Sequence, residues 1–183
     1  ATAAVCCGCA ARTKAERSLF AMDTYMTLTA YGRGADKALD ECEAELGRLE
    51  KLFSATLPDS DAARIRAGAG ADVAVSADTV AMLETALAVS AQSDGAFDPT
   101  IYPLVGAWGF LTESPSVPSE AEIADARMRV DYRRLTLSSQ SVRVGPGMGV
   151  DFGGVAKGYA SDRLVGIFRA RGIKSAIVSL GGS

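Results

Sequence analysis

The segment with the strongest chemical pattern is VDFGGVAKGYASD, residues 150–162. Two consecutive glycines stand between a strand-like run and the start of a helical pattern, so the backbone can approach a ligand closely. The helix N-terminus adds N–H groups that bind anions. Lys157 lies in the first helical turn, where the helix dipole disfavours a cation unless a phosphate or carboxylate lies in front of it. Asp151 adds a carboxylate suited to a hydroxyl, a ring N–H or a hard metal ion. The pattern predicts an anion site, and the alternative is a glycine-rich turn with a solvated lysine.

A second candidate segment is FDPT, residues 97–100. Around it stand Gly95, Pro103, Gly106, Trp108 and Gly109. An irregular, aromatic-lined segment of this kind is typical of pockets for flat ligands. The alternative is local, because Asp98 as N-cap and Pro99 at the first helical position begin an ordinary helix.

The composition limits the chemistry that these segments can perform. The 183 residues include no histidine, which excludes Ser-His-Asp and Cys-His nucleophilic sites, zincin motifs and histidine-ligated zinc or haem within this sequence. The spacing also excludes a Walker A loop, and a kinase catalytic loop needs a histidine. Chemistry here must therefore use carboxylates, lysine, hydroxyls, backbone dipoles or a hard metal ion. With 19 basic and 22 acidic residues the net charge is −3, so no nucleic-acid partner is expected.

The elements that must position these segments mix strands and helices without a regular alternation. Residues 18–32 are rich in Thr, Tyr and Leu and predict one strand, in which Asp23 is unusual and marks a bulge or a site. Shorter strands are predicted at 72–76 and as two runs within 133–144, and a buried strand at 176–180. The predicted fold class is therefore α+β, a mixed sheet with packed helices.

Apolar spacing and capping residues predict five helices. The first has an apolar stripe formed by Ala35, Leu39, Cys42, Leu46, Leu49 and Phe53. Cys42 is therefore interpreted as a core residue. Ser60, Ser76 and Ser119 are predicted to cap the next three helices, the last with a capping box. The fifth helix is predicted over residues 155–171, directly after the glycine pair.

The first residues predict export from the cytoplasm. The small, weakly apolar start followed by a charged stretch makes residues 1–17 similar to the end of a secretory signal with a linker. Gly8 before Cys9 resembles a bacterial lipoprotein cleavage box with Cys9 as the lipidated residue, although Cys6 and Cys7 are bulkier than such boxes use. The alternatives are a disordered remnant or a thiol cluster that binds metal adventitiously. The cysteines do not form a disulfide framework.

Residues 18–183 are predicted to be the N-terminal part of a longer domain. The last strand runs to Leu180 and stops at a Gly-Gly turn that it has just opened, so we expect the sequence to be cut at both ends. No run of about 18 apolar residues predicts a transmembrane helix.

Four motifs in order, FAMDT, FDPTIYPLVGAWGF, VDFGGVAKGYASDRL and GIKSAIVSLGG, resemble the ApbE family of bacterial FAD:protein FMN transferases. The resemblance runs from about Leu19 to the last residue. It implies an ApbE-like fold and an enzyme that binds FAD and Mg²⁺ and moves FMN to a Thr or Ser hydroxyl of an acceptor protein. It also implies a periplasmic location, with a lipid anchor in the inner membrane as the only membrane association. The implied acceptors are subunits of Nqr- or Rnf-type electron-transfer complexes.

The resemblance also assigns roles to particular residues. The implied cofactor-binding residues are Met22, Ala96, Phe97, Asp98, Asp151 and Lys157. Met22 would touch the flavin end of FAD, and residues 96–98 would form a contact strip along it. Asp151 would hold the adenine or ribose side, and Lys157 would reach the cofactor. Gly154 would offer a main-chain oxygen to the metal ion, and no catalytic residue is assigned.

The sequence departs from the family pattern at several points. An aromatic residue expected in the loop after the first helix is replaced in Ser54-Ala55-Thr56, and Arg66 stands where an Asn is usual. The Asn-x-Gly-Gly-Asp pattern is Ser179-Leu180-Gly181-Gly182-Ser183 here, and the family's later metal-binding Asp and Thr or Ser are not in this sequence. These departures leave three alternatives: an FAD-binding lipoprotein without transferase activity, an FAD pyrophosphatase that forms FMN and AMP, or an inert fragment.

Overall fold

The computed structural model describes residues 13–181. Its elements in chain order are β1 (Lys14–Ala21), β2 (Thr24–Tyr31), α1 (Ala35–Phe53), α2 (Asp61–Ala67), β3 (Val73–Ala74), α3 (Ala77–Gln92), α4 (Tyr102–Ala107), α5 (Glu120–Arg127), a short 3₁₀ helix (Tyr132–Arg134), β4 (Thr136–Leu137), β5 (Ser141–Arg143), α6 (Ala156–Ala170) and β6 (Ser175–Ser179). The chain divides into two compact units, one with the described residues up to Leu46 and from Ser161 onward, the other Gly47–Ala160. The signal and lipidation predictions for Cys6, Cys7 and Cys9 lie outside the described residues.

The sheet of the first unit has three strands in the order β1-β2-β6, and both pairings are antiparallel. The prediction of one continuous strand over 18–32 is wrong, because Ala21 pairs with Thr24 and closes a hairpin. The two turn residues, Met22 and Asp23, have φ angles of 49° and 57°. Positive φ at both central positions is typical of the type I′ turn of two-residue hairpins, and Asp tolerates it better than most residues. The unusual Asp23 is therefore explained by the turn and not by a bulge.

The last strand, β6, lies at an edge of this sheet and is less buried than predicted. Ile177 is 58 % exposed, whereas Leu180, one residue beyond the strand, is buried. Successive side chains on a strand point to opposite faces, so Ile177 lies on the face opposite that of Ala176 and Val178. The prediction of a buried strand at 176–180 is thus wrong for most of its residues. Its position in sequence is confirmed.

The apolar stripe predicted for α1 is confirmed, because all six of its residues are buried. On the polar side of the first unit, arginines from other elements pair with acids of α1: Arg17 with Asp40 at 2.8 Å, Arg163 with Glu45 at 2.9 Å, and Arg171 with Glu41. Cys42 is a core residue, as predicted. Burial, together with the charges of Glu41 and Glu45, raises the pKa of its thiol to about 12, so this thiol is protonated at neutral pH.

The second unit contains the other sheet, with strand order β3-β5-β4 and antiparallel pairing throughout. Ser60, Ser76 and Ser119 cap α2, α3 and α5 as predicted, and the capping box at Ser119 is formed. The predicted α+β class agrees with these short antiparallel sheets and separate helices. None of the helices within residues 13–181 is both long and apolar enough to cross a membrane.

Asp61 connects α2 to the start of α3. Its Oδ2 accepts hydrogen bonds from the Ser76 N–H at 2.8 Å and the Thr79 hydroxyl at 2.5 Å, and its Oδ1 pairs with Arg64. Burial would raise the pKa of the Asp61 carboxyl, but these hydrogen bonds outweigh it and lower the pKa below its usual range. The Asp61 carboxylate therefore holds the N-terminus of α3 in place while it is ionised.

The core of the second unit anchors the segment that follows β5. The Phe53 ring makes edge-on contacts with Phe152 at 5.5 Å and with Tyr159 at 5.8 Å between ring centroids. Phe152 and Val150 are almost fully buried. Because alternate residues of this segment are held in the core, Asp151 between them is fixed at the surface, where it is partly exposed.

Candidate functional site

The FDPT segment forms a turn that is closed by its own side chains. Asp98 Oδ1 accepts hydrogen bonds from the Thr100 N–H at 2.8 Å and from the Thr100 hydroxyl at 2.7 Å. The helix-start alternative is wrong, because α4 begins at Tyr102 with Ile101 as its N-cap. An aspartate that accepts from the backbone two residues later forms a self-contained turn, which competes with helix initiation. The prediction that this segment is irregular holds for residues 96–101.

The same turn is attached to a segment more than thirty residues away in the sequence. Asp98 Oδ2 accepts a hydrogen bond from the Tyr132 N–H at 2.9 Å, and Thr100 Oγ1 accepts one from the Asp131 N–H at 2.9 Å. Thr100 is fully buried. Both carboxylate oxygens of Asp98 are therefore engaged within the chain.

The glycine-rich segment is attached to the FDPT turn through the backbone. The Asp151 N–H donates to the Pro99 carbonyl at 2.9 Å, although the two residues are far apart in sequence. Asp151 Oδ1 accepts from the Gly153 N–H at 2.8 Å, and its Oδ2 has no hydrogen-bond partner among the described residues. One oxygen of Asp151 thus stabilises the local turn while the other stays open to a ligand.

Two glycines let aromatic rings approach this backbone. A Cβ on Gly154 would lie 2.9 Å from Phe97 Cε2, and one on Gly149 would lie 2.9 Å from Tyr102 Cδ1. Both distances are shorter than real Cβ contacts, so the rings occupy the space that a side chain would need. The Phe97 ring therefore lies directly against the backbone of Gly154.

The start of α6 offers a cation and an uncommitted oxygen. Lys157 is exposed and forms no ion pair with the residues that the structure describes. No backbone N–H in the described part of the chain donates to the Gly154 carbonyl. A lysine near a helix N-terminus, with no counter-charge among the described residues, can bind a phosphorylated ligand, and a free carbonyl can bind a hard cation.

A cavity of about 380 Å³ lies beside the strip of residues 96–98. Its lining includes Gly95, Ala96, Asp98, Arg127, Tyr132 and Arg133. A hydrogen bond from Arg133 lowers the pKa of the Asp131 carboxyl, which also lines the cavity and pairs with Arg133 at 2.8 Å. The cavity therefore presents both charge signs and the half-exposed ring of Tyr132.

A sequence model of the ApbE family matches residues 22–183. This chain belongs to the ApbE family. The match covers well over half of the chain, and it confirms the resemblance that the ordered motifs indicated.

Curated proteins of similar sequence share one name. The FAD:protein FMN transferase of Treponema pallidum is 35 % identical over 156 residues, which cover 80 % of this chain and 43 % of that protein. The FAD:protein FMN transferase of Escherichia coli K12 is 35 % identical over 109 residues, 56 % of this chain and 31 % of that protein. The chain thus spans less than half the length of these relatives.

Solved structures confirm the α+β fold of the family. The flavin transferase ApbE from Vibrio cholerae matches with a TM-score of 0.87 at 24 % identity, covering 93 % of this chain and 58 % of that one. The apo flavinyl transferase ApbE from Pseudomonas stutzeri matches with a TM-score of 0.86 at 28 % identity, covering 94 % and 58 %.

The second unit of this ApbE-family chain contains all but one of the residues that the sequence predicted for the cofactor and metal. They are Ala96, Phe97, Asp98, Asp151, Gly154 and Lys157. The Asp151–Pro99 hydrogen bond and the Phe97–Gly154 contact bring the two motifs together. Met22 belongs to the first unit, where it occupies the β1–β2 turn and is half-buried. The binding roles of these residues stay predictions.

Sequence reasoning missed the segment Val130–Tyr132 and the buried hydroxyl of Thr100. The Asp-x-Thr spacing is a signal for a turn closed by side chains, and it was available in FDPT. The attachment of that turn to Asp131 and Tyr132 has no local sequence signal, because it depends on backbone N–H groups that every residue type except proline carries.

The loop that departs from the family pattern is held by hydroxyl groups and by an arginine. Ser54 Oγ accepts from the Thr56 N–H at 3.2 Å, and the Ser60 hydroxyl donates to the Ser54 carbonyl at 2.6 Å. Arg66 donates to the Ala55 carbonyl at 3.3 Å, and its guanidinium lies 4.5 Å from the centroid of the Tyr102 ring. Arg66 therefore bridges this loop to an aromatic residue of α4 in the same unit.

The donor set for a divalent ion is partial within the described residues. Residues 13–181 contain no group of three or more His, Cys, Asp or Glu side chains that could hold a metal ion. The Gly154 carbonyl is an oxygen ligand of the kind that Mg²⁺ prefers, and Mg²⁺ commonly completes its shell with waters and substrate phosphates. The residues present thus fit one side of a magnesium site.

Proposed function

We propose that this chain binds FAD and acts in the transfer of FMN from FAD to a Thr or Ser hydroxyl of an acceptor protein. Family membership and relatives named FAD:protein FMN transferase support this proposal. The observation that carries it is the hydrogen bond from the Asp151 N–H to the Pro99 carbonyl at 2.9 Å. It joins the two motifs that would hold opposite parts of one dinucleotide.

The reaction requires positioning and charge neutralisation more than covalent help from the protein. The acceptor oxygen forms a bond to the FMN-side phosphorus, the bridging P–O bond breaks, and AMP leaves while the hydroxyl proton is released. Lys157 would neutralise charge on the pyrophosphate, and the Gly153–Gly154 backbone would allow close approach. Asp151 Oδ2 would accept hydrogen bonds from the ribose or adenine side. A bound divalent ion would supply further charge stabilisation at the phosphate oxygens.

The cellular setting is also a proposal. We infer a periplasmic lipoprotein anchored through Cys9, with acceptor subunits of Nqr- or Rnf-type complexes as partners. The support is the sequence pattern of residues 1–17 and the resemblance to the family. A Cys9→Ser variant should lose acyl label from the protein in growing bacteria, and retention of that label would contradict the assignment.

The proposed activity can be tested by binding and product analysis on the same protein. FAD affinity is measured by quenching of flavin fluorescence, and FMN, AMP and flavinylated acceptor are measured by chromatography and mass spectrometry with Mg²⁺ present. Lys157→Ala and Asp151→Ala should weaken FAD binding and abolish transfer. Lys51→Ala is the matched control, because Lys51 is also exposed, lies in the same unit and has no ion pair among the described residues.

Each alternative function predicts a different result in this assay. Unchanged transfer in both site variants would contradict the site assignment. Stoichiometric FAD binding without product would support a flavin-binding protein, and free FMN with AMP but no labelled acceptor would support an FAD pyrophosphatase. No FAD binding by the wild-type chain would contradict the proposal as a whole.

A further inference from the structure

We propose that Thr100 is a positioning residue of the FAD site, acting through Asp98 and the segment Val130–Tyr132 without touching the cofactor. This inference rests on the proposed function, because it concerns the same site. The residue was not among those predicted from sequence, and its role follows from the hydrogen bonds that its hydroxyl makes.

The Thr100 hydroxyl both donates and accepts a hydrogen bond. It donates to Asp98 Oδ1 at 2.7 Å, and its oxygen accepts from the Asp131 N–H at 2.9 Å. The side chain is fully buried, so water cannot replace either partner. Asp98 then uses its other oxygen to accept from the Tyr132 N–H at 2.9 Å. The hydroxyl is thus the central member of a closed network.

This network fixes two walls of one cavity. Ala96 and Asp98 line the 380 Å³ cavity on one side, and Val130, Asp131 and Tyr132 line it on the other. The two walls are joined by hydrogen bonds between residues 31 and 34 positions apart in sequence. Without the Thr100 hydroxyl, the Asp131 N–H loses its acceptor and Asp98 loses one of its three donors.

The same turn is also connected to Asp151. Pro99 stands between the two residues that close the turn, and its carbonyl accepts the Asp151 N–H at 2.9 Å. Proline fixes its own φ, so the direction of this carbonyl depends on how the turn is closed. The Thr100 hydroxyl therefore influences both the 96–98 strip and the carboxylate proposed to bind the other side of FAD.

The engagement of Asp98 makes it a poor direct ligand for a cation. Three N–H or O–H groups already point at its two oxygens. A positive ion at the same oxygens would repel these donors and displace them from their acceptor. We therefore infer that the contact strip binds FAD through its backbone and the Phe97 ring, while the Asp98 carboxylate holds the surrounding segments together by hydrogen bonds.

The test compares Thr100→Val with Thr100→Ser. Valine keeps the shape of threonine but removes the hydroxyl, so the FAD Kd should rise about tenfold or more, as expected when a buried hydrogen-bonding group is left unpaired. Serine keeps the hydroxyl and should bind FAD within about twofold of wild type. Thr85→Val is the matched control, because within residues 13–181 the Thr85 hydroxyl bonds only to the Ala81 carbonyl, on an exposed helix surface.

The outcomes separate this inference from the proposed function. Unchanged FAD binding by folded Thr100→Val, with a wild-type chain that binds FAD, would overturn the positioning role alone. If circular dichroism shows that Thr100→Val does not fold, Thr100→Ser provides the test. Wild-type FAD affinity in Thr100→Ser would support the positioning role of the hydroxyl, and a loss of affinity would overturn that role. A wild-type chain that does not bind FAD would overturn both proposals.

Discussion

The regions around Asp98 and Asp151 have the same residue type and the same local turn, but the two carboxylates accept different numbers of hydrogen bonds. Both carboxylates accept from a backbone N–H two residues later. The Asp98 carboxylate then accepts two more donors, one of them from Tyr132, whereas Asp151 Oδ2 has no partner among the described residues. The first region is closed, because the chain uses both oxygens of its carboxylate. The second region is open, because one oxygen of its carboxylate has no partner among the described residues.

This difference separates a carboxylate that holds two segments together from one that keeps an oxygen without a partner among the described residues. A carboxylate whose hydrogen-bonding capacity is used within the chain contributes to stability, because its donors would otherwise lose their acceptor. A carboxylate with an open oxygen contributes less to stability. The resemblance to the family assigns both residues to the cofactor, and the structure shows that their hydrogen bonding differs.

The largest expected effect contrasts the two aspartates in stability. Asp98→Ala leaves two backbone N–H groups and the Thr100 hydroxyl without an acceptor, and we expect it to lower the free energy of unfolding by about 2–4 kcal/mol. Asp151→Ala removes one hydrogen bond from the exposed Gly153 and should cost about 1 kcal/mol or less. Urea unfolding of the full chain, followed by circular dichroism and by the fluorescence of Trp108, measures both.

Binding completes this test. Among variants that remain folded, Asp151→Ala should lose FAD affinity out of proportion to its small loss of stability. Equal losses of stability in the two variants would show that the open and closed carboxylates do not differ as the structure indicates.

A smaller effect is expected from the glycine that lies opposite the Phe97 ring. Gly154→Ala places a Cβ 2.9 Å from Phe97 Cε2, so the ring must move. Because this ring is only half-buried, we expect a loss of about 1 kcal/mol in stability together with weaker FAD binding. The same two measurements, urea unfolding and quenching of flavin fluorescence, apply.

Gly158→Ala is the control for the glycine prediction. Gly158 lies in α6, and nothing stands within 4 Å of a Cβ added there. Alanine at an open helical position stabilises by about 0.5–1 kcal/mol relative to glycine. The two glycine variants should therefore differ in sign, and a stabilising Gly154→Ala would contradict the close approach of Phe97.

Local features of the fold were predictable because their causes lie within four residues. The stripe of α1 repeats at helical spacing, and each serine cap acts on an N–H three residues later. The β1–β2 turn was not predictable on the same basis. Met22 and Asp23 interrupt a run of good strand formers without the glycine or asparagine that usually marks such a turn.

The candidate site residues could be selected from the sequence motifs, whereas the hydrogen bonds that connect their segments could not be predicted. The motifs identified Phe97, Asp98, Asp151, Gly154 and Lys157, and the structure places them in one compact unit. Residue spacing could not show that the Asp98 carboxylate accepts a hydrogen bond from the Tyr132 N–H, because a backbone donor leaves no pattern in the side-chain sequence. What separates the closed region from the open one is therefore long-range hydrogen bonding, which periodicity does not encode.

The smallest expected effect tests whether the Asp131 side chain belongs to the closed region. A hydrogen bond from Arg133 lowers the pKa of the Asp131 carboxyl in the folded chain. A lowered folded pKa means that the carboxylate stabilises the fold above its unfolded pKa of about 4, and that this contribution is lost as the pH falls through the folded pKa.

Asp131→Asn keeps the N–H that donates to Thr100, so the closed network should persist. Urea midpoints should thus show a small loss at pH 7 that shrinks near pH 3. Asp59→Asn, whose side chain has no partner among the described residues, should show no such change with pH. A loss for Asp131→Asn that is as large in acid as at neutral pH would show that the effect of the side chain does not depend on its charge.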